Sequence, residues 1–390
     1  MIFLNLFIIV SIFVAVILLL FPVKENNVVK YFILFAMWLV FTFSSESFDL
    51  NNLEFRYLHQ LDSYDLSIGF GVLMDFCYDL AIPFVLFKAL IGIIILLLLY
   101  ESISKITSRQ NVVLALMLLY PYWGFCMQLR NGLSMAIVLY AIACLVTEGS
   151  RSSKKYIFLI LFASLFHYSS LFYLLFVFIC NTKFIQPKIN YFIPFIIVSF
   201  VMTQMNLVFN LIGDVVSVWD PRFSLWLDYS RLSDESELNM TGRIFLIIAH
   251  IVRCVIILLC YECYKSRRHA ESQKIISNTN PIRNNEELMW NSLIKFELFL
   301  LCVLPFYIVS GSAVRISQFT IIFVYCAIAN IAKKSWDYKG TFKKFPAGIG
   351  WMFIRPGILI YSLFTLWVSE QSTEQLDGFL SSFSLKSIIF

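Results

Sequence analysis

Continuous apolar runs recur along the whole chain, at 2–21, 31–45, 81–100, 110–124, 131–147, 156–180, 189–212, 243–264, 290–311, 316–332 and 346–368. A helix crosses the hydrocarbon layer with about 20 such residues, so these runs predict membrane helices. They are unbroken where the strands of a barrel would alternate, which argues against a membrane β-barrel. The breaks between them carry two kinds of charge. Lysine gathers at 24–30, 105, 154–155, 183–188, 265–274 and 333–344, whereas 46–80 and 213–242 hold no lysine and are acidic. By the positive-inside rule the lysine-bearing breaks face the cytoplasm and the two acidic ones face outward. Run 156–180 breaks this alternation if it is one helix, because every later side then inverts. A break near His167-Tyr168-Ser169-Ser170 restores it, with two short helices meeting below the outer surface, where protein or water covers the turn.

The expected fold is therefore an all-α integral membrane protein of 11–12 transmembrane or half-membrane helices. It is one polytopic domain over residues 1–390, with external loops at about 46–80 and 213–242, a cytoplasmic loop at 265–289 and a polar tail at 369–390. Residues 2–21 lack a charged leader and a small-residue cleavage site, so they read as a retained first span. Composition agrees: the chain is 59% hydrophobic and 14% charged, against about 45–50% and about 25% for soluble domains. Nine cysteines give no framework, and Cys260-x-x-Cys263 lacks further ligands, so no metal and no cofactor is expected. The net charge of +5 does not point to nucleic acid. No P-loop, G-x-S-x-G, H-E-x-x-H or dinucleotide fingerprint is present.

The charges that stand out of place are mostly arginines. Arg56, Arg130, Arg222, Arg231, Arg243, Arg253 and Arg315 fall on the expected outer side or in the outer half of spans. A guanidinium cannot lose its proton and donates two parallel hydrogen bonds to an oxyanion, which suits a phosphate. Pairing with the acidic loops is the plainer account of Arg222 and Arg231. Arg130 and Arg315 have no acid within several residues and are the sharper candidates. His167 stands at the expected break beside two hydroxyls, suited to phosphate contact or proton transfer, or to a structural bond. His250 and Arg253 share a helix face, with Arg243 near it, and could line a polar cavity or simply pack. In the first external loop, Glu54, Arg56, His59, Asp62, Tyr64 and Asp65 suit sugar hydroxyls and stacking on sugar faces, or plain solvation. Asp62 is the candidate general base. Lys88, two turns into its span, either snorkels or adds a point charge near an anion.

Four stretches resemble bacterial polysaccharide polymerases of the Wzy and EpsG-like type. Gln128-Leu129-Arg130-Asn131-Gly132-Leu133-Ser134-Met135-Ala136 is similar to their "R-Q-x-x-A" opening of a span. Ala163-Ser164-Leu165-Phe166-His167-Tyr168-Ser169-Ser170-Leu171 is similar to their "A-x-x-F-H-x-S-A". Asp62-Ser63-Tyr64 followed by Gly69-Phe70 resembles part of their first long external loop. Val314-Arg315-Ile316-Ser317-Gln318-Phe319 resembles their late "R-I-x-x-Y-F". The chain departs from the pattern at Asn131, where Gln is usual, and at Phe319.

The resemblance implies an exoplasmic glycosyltransferase in the bacterial cytoplasmic (inner) membrane. Its donor and acceptor would be oligosaccharide repeat units on undecaprenyl pyrophosphate, polymerised into O-antigen, capsule or exopolysaccharide, among membrane lipids and with a chain-length regulator as a further partner. It implies Arg130 and Arg315 on the pyrophosphate, with Arg56 and Arg243 in support, His167 on the phosphates or the proton, and Asp62 as base. Two other functions share that substrate: a flippase for lipid-linked oligosaccharides, and a ligase moving finished polysaccharide off its lipid. A flippase should show two related halves, and no internal repeat is visible.

Overall fold

A computed structural model describes residues 25–44, 48–60, 67–182, 185–204, 240–272, 281–305 and 314–336. The spans expected at 2–21 and 346–368, residues 213–239 of the second external loop, the tail, Asp62, Tyr64, Arg222 and Arg231 lie outside these residues. The chain is an all-α membrane protein, and no strand occurs among the described residues. Three helical stretches are long and apolar enough to cross a membrane, Phe84–Ile106, Leu129–Ser164 (divided at Gly149) and Ile247–Lys265, with several shorter apolar helices around them.

The helices follow from the apolar runs and their stop signals. Helix α1 (Asn27–Phe43) starts where the Asn26 side chain accepts the Val28 N–H at 2.8 Å. The stretch at 46–80, expected as a loop, contains α2 (Phe48–Leu58) and α3 (Ile68–Asp79). Helix α4 (Phe84–Ile106) begins after Pro83. Run 110–124 is divided into α5 (Gln110–Leu119) and α6 (Tyr122–Met127) around Tyr120-Pro121, since proline has no N–H to continue the ladder. Helix α7 (Leu129–Glu148) ends at Gly149, whose φ of 64° suits a residue without Cβ.

The expected break in run 156–180 is present. Helix α8 (Ser153–Ser164) stops before His167, a 3-10 turn covers Tyr168–Tyr173, and α9 (Leu174–Asn181) runs back. Asn181 donates to Ser153 Oγ at 2.8 Å, so the hairpin returns to the end at which it began. The remaining elements are α10 (Ile193–Gln204), α11 (Met240–Ser272), α12 (Pro281–Leu300), α13 (Val314–Ser317) and α14 (Ile321–Trp336).

Helices α7 and α12 form the centre. From Leu129 to Val146 only Arg130 and Tyr140 rise above full burial, and α12 is buried from Met289 to Leu300 apart from Asn291. A helix covered on all sides belongs in the middle of a bundle. Helix α4 packs Phe87, Ile91, Ile95 and Leu99 inward while Leu86, Leu90, Ile93 and Leu97 stay exposed. An outer face this apolar suits lipid contact and would be a liability in water.

The bundle has two chemically distinct ends. At one, Lys105 pairs with Glu148 at 3.0 Å and Asn330 donates to the Ile106 carbonyl at 2.9 Å. Lys154 and Lys155 follow the same turn of chain, and Lys295 donates to the carbonyl of Thr182 at 3.0 Å. Arg130 stands 18 residues before Glu148 on α7, about 27 Å away at about 1.5 Å per residue. It marks the opposite end.

Candidate active site

The segments of Arg130, His167 and Arg315 converge in the half of the bundle away from Lys105, Lys154 and Lys295. Ser134, one turn after Arg130, donates from Oγ to the Ala163 carbonyl at 3.0 Å, which ties the start of α7 to the end of α8. The Tyr173 hydroxyl, closing the 3-10 turn after His167, donates to the Ile316 carbonyl. The Phe125 and Phe319 rings, 4.3 Å apart, join α6 to the residues after α13. The loop resembling the family's first external segment docks on the same turn. Ser67 Oγ donates to the Phe166 carbonyl at 2.7 Å and Gly69 N–H to the Leu165 carbonyl at 2.8 Å. A Cβ at Gly69 would meet Leu165 Cβ at 2.8 Å, so the approach requires glycine there.

Arg130 is the second residue of α7 and is half-buried. A cation in a helix's first turn opposes the positive end of the helix dipole, so helix stability does not account for it. The two fields add towards an anion. Its neighbours are locked: Asn131 Nδ2 donates to Gln128 Oε1 at 2.9 Å and both are buried. Asn131 Oδ1 has no hydrogen-bond partner among the described residues.

His167 caps the 3-10 turn. Its Nδ1 accepts the Ser169 N–H at 3.4 Å and lies 2.7 Å from Ser169 Oγ. With an N–H pointed at Nδ1, the neutral ring carries its proton on Nε2 and is a donor through that atom. This arrangement suits donation to an oxyanion better than proton abstraction.

Arg253 and His250, the shared face read from the sequence, are both buried on α11. Arg253 is engaged: Nε meets Glu297 Oε2 at 2.8 Å, and Nη1 donates to the Ser317 carbonyl at 2.7 Å. Lys88 is 3% exposed and its ammonium donates to the Ser44 carbonyl at the end of α1, so the point charge faces a helix C-terminus. Arg56 lies on α2, where Nε donates to Asn52 at 3.3 Å. The Tyr57 hydroxyl, one residue on, donates to the Ile82 carbonyl at 2.6 Å beside the start of α4, so Arg56 shares the arginine end. Arg243 and Arg315 are placed by their backbone, on α11 and α13.

Glu297 is the group that sequence reasoning missed. A single carboxylate inside the apolar run 290–311 is itself a signal, because an intramembrane acid requires a partner. No group of three or more metal-ligating side chains occurs among the described residues.

No curated protein and no solved structure matches the chain. The model of the EpsG family matches residues 45–371, a stretch that takes in every segment just described from Phe48 to Trp336. The chain belongs to the EpsG family, with the role of a membrane polysaccharide polymerase or glycosyltransferase-type enzyme.

Proposed function

We propose that the chain is an exoplasmic polymerase that joins oligosaccharide repeat units carried on undecaprenyl pyrophosphate, in the bacterial cytoplasmic membrane. The observation that supports this most is the meeting of the Arg130, His167 and Arg315 segments at the end of the bundle opposite Lys105 and Glu148. In the reaction, a hydroxyl of the acceptor unit attacks the anomeric carbon of the donor chain. The bond from that carbon to the pyrophosphate oxygen breaks, and undecaprenyl pyrophosphate leaves with the electron pair. The hydroxyl proton passes to a base.

Negative charge grows on the leaving pyrophosphate, so groups that bind it more tightly in the transition state accelerate the step. Arg130 and Arg315 take this role, with Arg56 and Arg243 in support. His167, a donor through Nε2, adds a neutral hydrogen bond to the same oxygens. Asp62 receives the proton. The donor brings its own leaving group, so no nucleotide is required.

The test is Arg130→Lys in purified protein supplied with lipid-linked repeats from its host. Lysine keeps the charge and loses the two-pronged contact, so chain extension should fall at least about tenfold. Near-normal extension would remove Arg130 from the pyrophosphate. Loss of surface glycan in a deletion strain, with polymer accumulating on its lipid carrier, would favour the ligase instead.

A further inference from the structure

Helix α13 is four residues long. A single helical turn does not sustain itself, since nucleation is costly and few bonds repay it. Its placement is imposed by neighbours, which grip two adjacent carbonyls from two different elements. The Tyr173 hydroxyl holds Ile316, and Tyr173 is itself anchored where its own carbonyl accepts the Tyr156 hydroxyl at 2.6 Å. Arg253 Nη1 holds Ser317, and its Nε is anchored by Glu297. Thr320 Oγ1 adds a third bond, to the Ser317 carbonyl at 2.6 Å.

Arg253 and Glu297 are 3% and 0% exposed. A buried ion pair is a poor way to add stability, because desolvating two charges costs about as much as their attraction returns. A well-packed apolar pair would serve the bundle as well. An apolar pair could not hold a carbonyl two residues beyond Arg315. Only a forked donor spans both targets, and the carboxylate fixes which way the fork faces.

We propose that Arg253, oriented by Glu297, is a positioning residue that sets the α13 backbone, which carries Arg315, against the turn after His167. The inference rests on the reading that Arg315 binds the pyrophosphate. The pair itself touches no substrate, and its influence passes through α13.

The test uses the full-length protein purified in detergent and compares R253M/E297M, R315K and the triple variant in chain extension. Methionines at both positions remove the charges and keep the bulk, so membrane level and melting temperature should stay near those of the wild type. Chain extension by R253M/E297M should nevertheless fall by about tenfold to a hundredfold, as expected when a reacting contact is displaced by about 1 Å. In the R315K background the same two substitutions should add little, because groups that act through one contact do not multiply their losses. R253K, which cannot span both targets, should recover only part of the loss.

Normal extension by a folded R253M/E297M overturns the proposal, and so does a loss that multiplies with R315K. Should the double variant fail to fold, R253K decides: full activity in a folded R253K contradicts a need for the fork. If R315K and R315A both extend chains normally, the pyrophosphate reading fails and takes the positioning role with it. An inactive R315A beside an active R253M/E297M sinks the positioning role alone.

Discussion

Lys88 and Lys295 both bury an ammonium group against main-chain carbonyls, Lys88 at Ser44 and Lys295 at Ile179, Cys180 and Thr182. Each closes the carbonyl end of a helix, where a cation is favoured. These two buried lysines therefore serve helix ends, whereas buried Lys30 donates to the Tyr100 hydroxyl and to Gln110, and buried Arg253 bridges elements. Nothing in the sequence around Lys88 distinguishes a capping role from an anion site, since its target lies 44 residues away. His167 is different, because its partner is two residues on and the cap was within reach of the pattern. Two substitutions separate its cap from its chemistry. Asparagine reproduces the acceptor at the Nδ1 position and keeps the cap, a contact that contributes about 0.5–2 kcal/mol at a helix N-terminus. Glutamine reaches the Nε2 position as a donor and loses the cap. If Nε2 donates to phosphate, H167Q should melt lower than H167N and yet extend chains faster per folded molecule, by about threefold to tenfold. The reverse order of extension rates would leave His167 a purely structural residue.

Between elements, the packing of α3 on the His167 turn shows what sequence could and could not reveal. Phe70, Met74 and Cys77 are buried on α3 at helical spacing, a face that was visible in the sequence but masked by the acidic composition of 46–80. Gly69-Phe70 carries part of the family likeness, and its physical purpose emerges only from the contact with Leu165. The break near residues 167–170 is legible for a different reason. Lysine placement sets the side on which each later run should emerge, and a reversal inside 156–180 is the simplest way to satisfy it. The division of α5 from α6 was missed despite Pro121, because the run is apolar on both sides of it. Since the Gly69 Cα approaches the Leu165 backbone so closely, G69A should force α3 away from the turn. The expected cost is about 1–3 kcal/mol, typical of overpacking. Thermal melting in detergent reads the stability, and glycan chain length in cells reads the activity. An unshifted melting temperature with full-length glycan would mean that the α3 contact is dispensable.

For the whole molecule, the separation of charge between the two ends is real but incomplete. Arg130 and Arg56 stand away from the lysine end, whereas Arg109 and Arg151 sit near it, beside Ile106 and Glu148. Arginine alone was therefore a weaker guide than arginine without nearby lysine. The same two-ended arrangement makes sidedness measurable. In a variant without native cysteines, H59C and K154C place thiols at exposed positions on opposite ends. A membrane-impermeant maleimide added to intact cells should label H59C and spare K154C. Labelling of K154C alone would turn the arginine end to the cytoplasm and contradict an exoplasmic reaction. The central claim, that guanidinium groups at this end receive a lipid diphosphate, is tested most directly by the affinity of the purified protein for undecaprenyl pyrophosphate. Wild type should bind it, and R130K and R315K should each bind at least about tenfold more weakly, a loss of about 1.4 kcal/mol or more. Equal affinity in all three would contradict the claim.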